Sequence, residues 1–277
     1  MIDVLLATYC PNECFLKEQQ LSILAQKDVQ VTVLTREDDE GLGPCLNFGH
    51  LLERSTAEYV AFSDQDDVWM SNKLVRSMAK MKEYESLYGK DVPILVFTDA
   101  KVVDAKLQTL DESLFHRTKI NPRRTRPEQL ILQNVANGNT MLFNAALRKK
   151  AKSIPREAFM HDHWLMLVAS VYGHIVCLNE STLLYRQHSS NVLGGAKVGG
   201  RYYIMRVFQG ISLLRERLYA NIHQAAAFAL RYPDAPMCFK VCVGLSKRSW
   251  FMRRWLLLRY GIFKNGWIRN IGTFCLV

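Results

Sequence analysis

The sequence predicts an α/β fold in which a mostly parallel sheet is flanked by helices and followed by a helical, basic C-terminal appendage. Three observations carry this prediction. Apolar, β-branched runs of strand length alternate with helix-forming segments through the first hundred residues. Beyond residue 200 that alternation stops, and apolar residues recur every three or four positions. With 277 residues and 49% hydrophobic content, the chain has ample material for a buried core.

Residues 2–7 and 29–35 are the first two strand candidates, and residues 14–26 between them carry Leu16, Leu21, Ile23 and Leu24 in helix-forming surroundings. This is a βαβ pattern. Residues 58–63 make a third strand; Leu74, Met78, Met81 and Tyr88 then follow helical spacing, and PILVFT at 93–98 makes a fourth strand. Residues 104–137 are less regular. They hold the basic loop NPRRTRP and a short helix behind Pro127, and they read as a mobile flap. Residues 138–144 (GNTMLFN) are predicted as a strand, 162–172 as a helix, and 174–178 and 182–187 as two short strands. GGAKVGG at 194–200 marks a flexible link, which divides the chain into a domain at 1–198 and a helical region at 199–277. In the latter, Ile204, Phe208, Ile211, Leu214, Leu218, Ile222 and Ala225 form one stripe suited to packing on the main domain.

Charge and composition narrow the function classes. The opening MIDVLLATY has no basic flank and runs into Cys10 and Pro11, so it reads as a strand rather than a secretory signal. No apolar run reaches the ~18 residues that a membrane span needs. The expectation is a cytoplasmic protein. Its seven cysteines are scattered and odd in number, and neither the Cys10/Cys14 nor the Cys238/Cys242 pair has a histidine at zinc-finger spacing. Formal net charge is +10, and residues 235–277 hold eight Lys or Arg with no Asp or Glu. Trp250, Trp255 and Trp267 lie among those cations, a mixture suited to an anionic membrane surface more than to nucleic acid.

Against this positive background, FSDQDDVW at 62–69 gathers three carboxylates in four positions, with no Lys or Arg before Lys73. Asp is a good turn and capping residue, which accounts for one or two of them. Three together point to an absent positive partner. Asp64 and Asp66 can reach a common point from a turn at the carboxyl end of a strand, where α/β sheets bind ligands. Hard oxygen donors select Mg²⁺ or Mn²⁺, with water and substrate phosphate completing the shell.

ATY at 7–9, REDD at 36–39, GLGPCLNF at 41–48, FSDQDDVW, GNTMLFN, HDHW at 161–164 and YRQHSSNVLG at 185–194 occur in order. Together they resemble the bacterial family-two inverting glycosyltransferases of GT-A fold, in particular the rhamnosyltransferase-like branch of O-antigen and capsule synthesis. The resemblance covers roughly residues 1–200. It implies that Thr8, Tyr9 and Asp38 hold the nucleoside of a dTDP- or UDP-sugar. Asp64 and Asp66 are implied as the D-x-D pair that engages nucleotide sugar and metal, with His188 near the metal and diphosphate. Asp162 matches the family's catalytic base, and Gln65 and Trp164 shape the acceptor side. The implied acceptor is a polyprenyl-diphosphate-linked glycan, met at the inner face of the plasma membrane by a peripheral enzyme. One departure stands out. Where the family inserts a further helix and strand after the acidic cluster, Asp39 is followed almost at once by Gly41.

Two other readings share parts of the pattern. A sugar nucleotidyltransferase also uses a carboxylate-bound metal, but expects a Gly-rich phosphate loop with a basic residue after the first strand, and ATYCPNEC has neither. A degenerate, non-catalytic relative would keep the basic tail as its functional part. Asp162 has a bland rival role as a helix cap, and His161 and His163 read as core or surface residues rather than catalysts.

Overall fold

The computed structural model describes residues 1–187, 198–199 and 210–277. The chain opens with β1 (Ile2–Thr8), α1 (Glu13–Leu24), β2 (Val31–Glu37), α2 (Gly43–Arg54) and β3 (Tyr59–Ser63). There follow the short β4 (Val68–Trp69), α3 (Lys73–Tyr88), the long β5 (Ile94–Val103), β6 (Thr109–Asp111), α4 (Leu114–Thr118) and α5 (Pro127–Leu130). Then come β7 (Met141–Asn144), α6 (Ala145–Ala151), α7 (His161–Tyr172) and β8 (His174–Arg186). The C-terminal region holds α8 (Ile211–Arg231), α9 (Met237–Lys240), α10 (Trp250–Arg259) and α11 (Trp267–Leu276).

Local chemistry sets several of these boundaries. Asn12 caps α1 by accepting the N–H groups of Cys14 and Phe15 at 3.0 and 3.2 Å. Asn144 ends β7 and caps α6: its Oδ1 accepts from Leu147 N and from Ile94 N, which also fixes the start of β5. Asp38 accepts from Leu42 N at 2.8 Å and Gly43 N at 2.7 Å, so it satisfies amides at the start of α2. Gly41 and Gly43, both at positive φ, let the chain turn from β2 into that helix.

The sheet is mixed, with strand order β2-β1-β3-β7-β5-β8-β4 and β6 on β5. The expected mostly parallel sheet is corrected here. β1, β2, β3, β5 and β8 run one way, while β7, β4 and β6 pair antiparallel to their neighbours. The reason is topological. The excursion through residues 104–137 leaves the chain at the carboxyl edge of the sheet, so β7 must return in the opposite sense between β3 and β5. Two more boundaries move: GNT at 138–140 is a 3₁₀ turn ahead of β7, and the two short strands expected at 174–187 are one continuous β8. The abrupt passage after Asp39 leaves β2 at the edge of the sheet, half-exposed along its length.

Alternate residues of each strand feed separate layers. Val4, Ala61 and Val96 face the layer with α1 and α3; Leu5, Phe62 and Phe97 face the layer with α2 and α7. The C-terminal helices belong to the second layer. Leu218, Ile222, Phe228, Phe239, Leu257 and Ile262 are buried in the same core cluster as Leu5 and Trp164. At ~1.5–3 kcal/mol per fully buried large side chain, their burial is worth on the order of 10 kcal/mol. The region is therefore fused to the sheet domain rather than tethered to it. The segment predicted as a flap is fastened as well, since Arg124 donates to the Phe263 carbonyl at 2.7 Å.

The tail keeps an exposed apolar side. Trp250, Phe251, Trp255, Leu258, Trp267 and Ile271 are exposed, Phe251 at 78% and Trp267 at 72%. Arg254 stacks over Trp250, 3.7 Å from its centroid. Among the described residues, no helix is long and apolar enough to cross a membrane.

Candidate active site

β1 and β3 lie side by side and end at the same edge, which brings ATY and DQDD together. Gln65 staples the two loops: Tyr9 N donates to its Oε1 at 2.7 Å, and its Nε2 donates to Tyr9 O at 3.1 Å. Both ends of this amide bond the backbone of Tyr9, just beyond β1, so Gln65, expected on the acceptor side, also ties the acidic loop to the first strand. The ring of Tyr9 is exposed beside it, and Thr8 is buried with Oγ1 donating to Arg36 O at 3.4 Å. Asn47 of α2 donates to Thr8 O and Arg36 O, so the ends of β1 and β2 are cross-linked behind the site. Asp38 spends both carboxylate oxygens on the α2 amides described above.

The three carboxylates of DQDD divide by environment. Asp67 is fully buried, accepts from Arg186 N at 3.0 Å and from the Asn139 side chain, and has buried Lys73 nearby. Burial pulls the Lys73 ammonium down to about 7 against the opposing attraction of Asp67; its Nζ lies 4.9 Å from the centroid of the Trp69 ring. Asp64 and Asp66 are only partly buried. Burial, then the charges of Asp66 and Asp162, push the Asp64 carboxyl up to about 7, with no described cation in opposition. Among the described residues, no three His, Cys, Asp or Glu form a ready metal cage. Mg²⁺ and Mn²⁺ need none, because one or two carboxylates plus water and phosphate are a usual shell. Two hard, mutually repelling carboxylate donors at a strand end fit such a cation.

Asp162 stands in the first turn of α7, where the helix dipole favours negative charge. It is not the cap: Met160 occupies that position. Its Oδ2 accepts from Gly138 N at 3.0 Å, its Oδ1 from His163 N at 2.6 Å, and Asn134 adds a side-chain hydrogen bond. Burial outweighs these donors and raises its carboxyl to about 6, a value at which a carboxylate is ionised at neutral pH yet basic enough to accept a proton. Gly138 is required here by close approach, since a Cβ would lie 2.8 Å from His161 Nε2.

Trp164, expected to shape the acceptor side, has 0% exposure and packs on Phe228 and Tyr232 beneath the surface. His161 is a core residue stacked on Phe48 at 4.0 Å, and burial drives its pKa down to about 3. His188 lies outside the described residues. Arg186, fully buried, donates to Asp66 O and Ala105 O at 2.8 Å and pairs with Glu18, while its guanidinium covers Phe15. It holds the acidic loop from behind. Asn134, Gly138, Asn139 and Glu18 were not singled out by the sequence; GNT in GNTMLFN carried the only hint, hidden by its reading as strand.

This arrangement can be set against known proteins. No family model matches the chain. Two structures of S. aureus TarS residues 1–349, one with UDP-GlcNAc and one without, cover 99% of the chain and 89% and 88% of their own, with TM-scores of 0.53 and 0.50 at 16% and 15% identity. The chain shares its fold with these TarS structures. In sequence, the chain is 23% identical over 246 residues to the dTDP-rhamnosyl transferase RfbG of Shigella flexneri, covering 77% of this chain and 80% of that protein.

Proposed function

We propose that the chain is a metal-dependent, inverting glycosyltransferase that moves a hexose from a nucleotide sugar to a lipid-linked glycan in surface-polysaccharide synthesis. The observation that supports this reading is the close grouping of Asp64, Asp66 and Asp162 at the carboxyl edge of the sheet, where the charges of Asp66 and Asp162 help to raise the Asp64 carboxyl. Asp66 and Asp64 would hold Mg²⁺ or Mn²⁺, which would supply charge stabilisation for a leaving diphosphate. Thr8, Tyr9 and Asp38 receive the nucleoside, and His188 is assigned to the diphosphate on sequence resemblance. The RfbG name favours a dTDP-rhamnose donor; the TarS complex makes a UDP-sugar the second candidate.

Asp162 takes the proton of an acceptor hydroxyl as that oxygen bonds to the anomeric carbon. The bond from that carbon to the diphosphate breaks on the opposite face, and its electron pair leaves with the nucleoside diphosphate. One carboxylate base suffices, and no covalent enzyme intermediate forms. The exposed tryptophans and cations of the tail fit a peripheral seat on anionic lipid, near a polyprenyl-diphosphate-linked acceptor.

The test is a thermal-shift screen of dTDP-rhamnose, UDP-GlcNAc and GDP-mannose with Mn²⁺, followed by assay of nucleoside diphosphate release with lipid-linked acceptor. A Mn²⁺-dependent shift and acceptor-dependent release are expected for one donor. Absence of both for every donor overturns the reading.

A further inference from the structure

We propose that the C-terminal helical region is a working part of the active site. Gln224 of α8 and Asn265 in the loop before α11, acting through His163 and the 133–134 segment, hold Asp162 in the orientation that takes a proton. The inference rests on the reading of Asp162 as the base. It concerns the tail in a second capacity, apart from any contact with lipid.

Two of the three donors on the Asp162 carboxylate come from groups that this region fixes. The first is the backbone N–H of His163. The ring of His163 is buried, with Nε2 2.6 Å from the carbonyl oxygen of Leu130. A carbonyl only accepts, so Nε2 carries the proton and Nδ1 is left as an acceptor. Gln224 supplies the matching donor, its Nε2 standing 3.1 Å from Nδ1. The orientation of that amide is itself set, because Gln224 Oε1 accepts from Phe159 N at 2.8 Å. Every polar atom of this buried relay is paired, and burial keeps the imidazole neutral with a pKa down to about 4. The first turn of α7 is thus clamped between α5 and α8.

The second donor is Asn134. Its Oδ1 accepts from Ala136 N at 3.2 Å, which leaves its NH₂ for the Asp162 carboxylate. The preceding residue, Gln133, is gripped by the tail: Asn265 N donates to Gln133 Oε1 at 2.7 Å. Asn265 and Arg269 also donate to the carbonyls of Lys119 and Thr118, so the same loop is anchored at two further points. The carboxylate is supported from α8 on one side and from the 265–269 segment on the other.

The experiment uses full-length protein and measures nucleoside diphosphate release from the donor identified among dTDP-rhamnose, UDP-GlcNAc and GDP-mannose. Gln224→Ala and Gln133→Ala are expected to lower kcat roughly ten- to a hundredfold, because small displacements of a reacting group carry costs of that order. The donor KM should stay within about twofold, since donor contacts are untouched. In an Asp162→Ala background, either change should leave the residual rate unaltered, as residues acting through one group are not additive. Asn134→Ala should move the acid limb of the kcat profile to higher pH, because it removes a donor that favours the ionised base. A purely structural role would give none of these signatures. Gln133 lies in a loop only partly buried, so Gln133→Ala carries the test if Gln224→Ala fails to fold. Wild-type kcat in both variants, or an equal loss of the residual rate without Asp162, overturns the inference. A fully active Asp162→Ala would instead overturn the base assignment itself.

Discussion

Removal of one negative charge from the acidic loop should make the metal-free protein more stable. Asp64 has its carboxyl raised from 3.8 to about 7 by burial and by Asp66 and Asp162. Because the folded value exceeds the unfolded one, the folded state binds more protons between pH 4 and 7, and stability falls as pH rises through that window. The penalty is complete above pH 7 and absent below pH 4. Three pH units correspond to about 4 kcal/mol at most, and access of water to this partly buried group reduces the effect to about 2 kcal/mol. Asp64→Asn should then melt about 4 °C above wild type at pH 8 in the presence of chelator. The two proteins should converge by pH 4. Mn²⁺ should raise the melting temperature of wild type at pH 8 and raise that of the variant much less. Thermal melts followed by circular dichroism across pH 4–8 provide the check. If Asp64→Asn melts at or below wild type at pH 8, or if the gap does not close on acidification, the ionised Asp64 is not held at a cost in the folded protein and the argument for a cation at this site fails.

Asp162→Asn should lower kcat by about 10²–10⁴ with little change in donor affinity, and wild-type kcat should fall about tenfold per pH unit below an acid limb near pH 6; steady-state assays across pH 5–8 test both. Trp164→Ala should cost about 3–5 kcal/mol by denaturant unfolding, because the ring is fully buried against Phe228 and Tyr232. The double change Phe251→Glu and Trp255→Glu should abolish sedimentation with anionic liposomes at low salt while leaving the melting temperature within about 2 °C, since both side chains are exposed.

Local patterns made the strands and the acidic loop legible. β1, β3 and the first half of β5 are predominantly apolar runs, and a run of that kind needs no tertiary context to be seen. The direction of β7 was not legible, because antiparallel return depends on where the 104–137 excursion leaves the chain, and no residue of MLFN encodes it. Site residues followed the same division. Asp64, Asp66 and Asp162 announce themselves as charges at strand or helix ends. The tie that Gln65 makes was not legible, because its amide pairs with a backbone 56 residues away. In HDHW, Asp162 faces the site while His161 packs on Phe48 and Phe62 and the rings of His163 and Trp164 meet α8; helix phase decides which is which.

The third carboxylate shows why a charge cluster should be divided before it is interpreted. Asp67 has the strongest environment of the three, yet its environment is protein: the Arg186 amide, the Asn139 side chain and nearby Lys73. It joins the acidic loop to the turn before β7 and to the end of β8. Arg186 returns along the same path, from β8 to the backbone of Asp66 and on to Glu18 of α1. Those bonds fix the loop from below, with Asp64 and Asp66 close enough to repel. A loop free to relax would separate the two carboxylates and lower the Asp64 pKa. Rigidity supplied by Asp67 and Arg186 keeps the Asp64/Asp66 pair together, as a site for a cation requires.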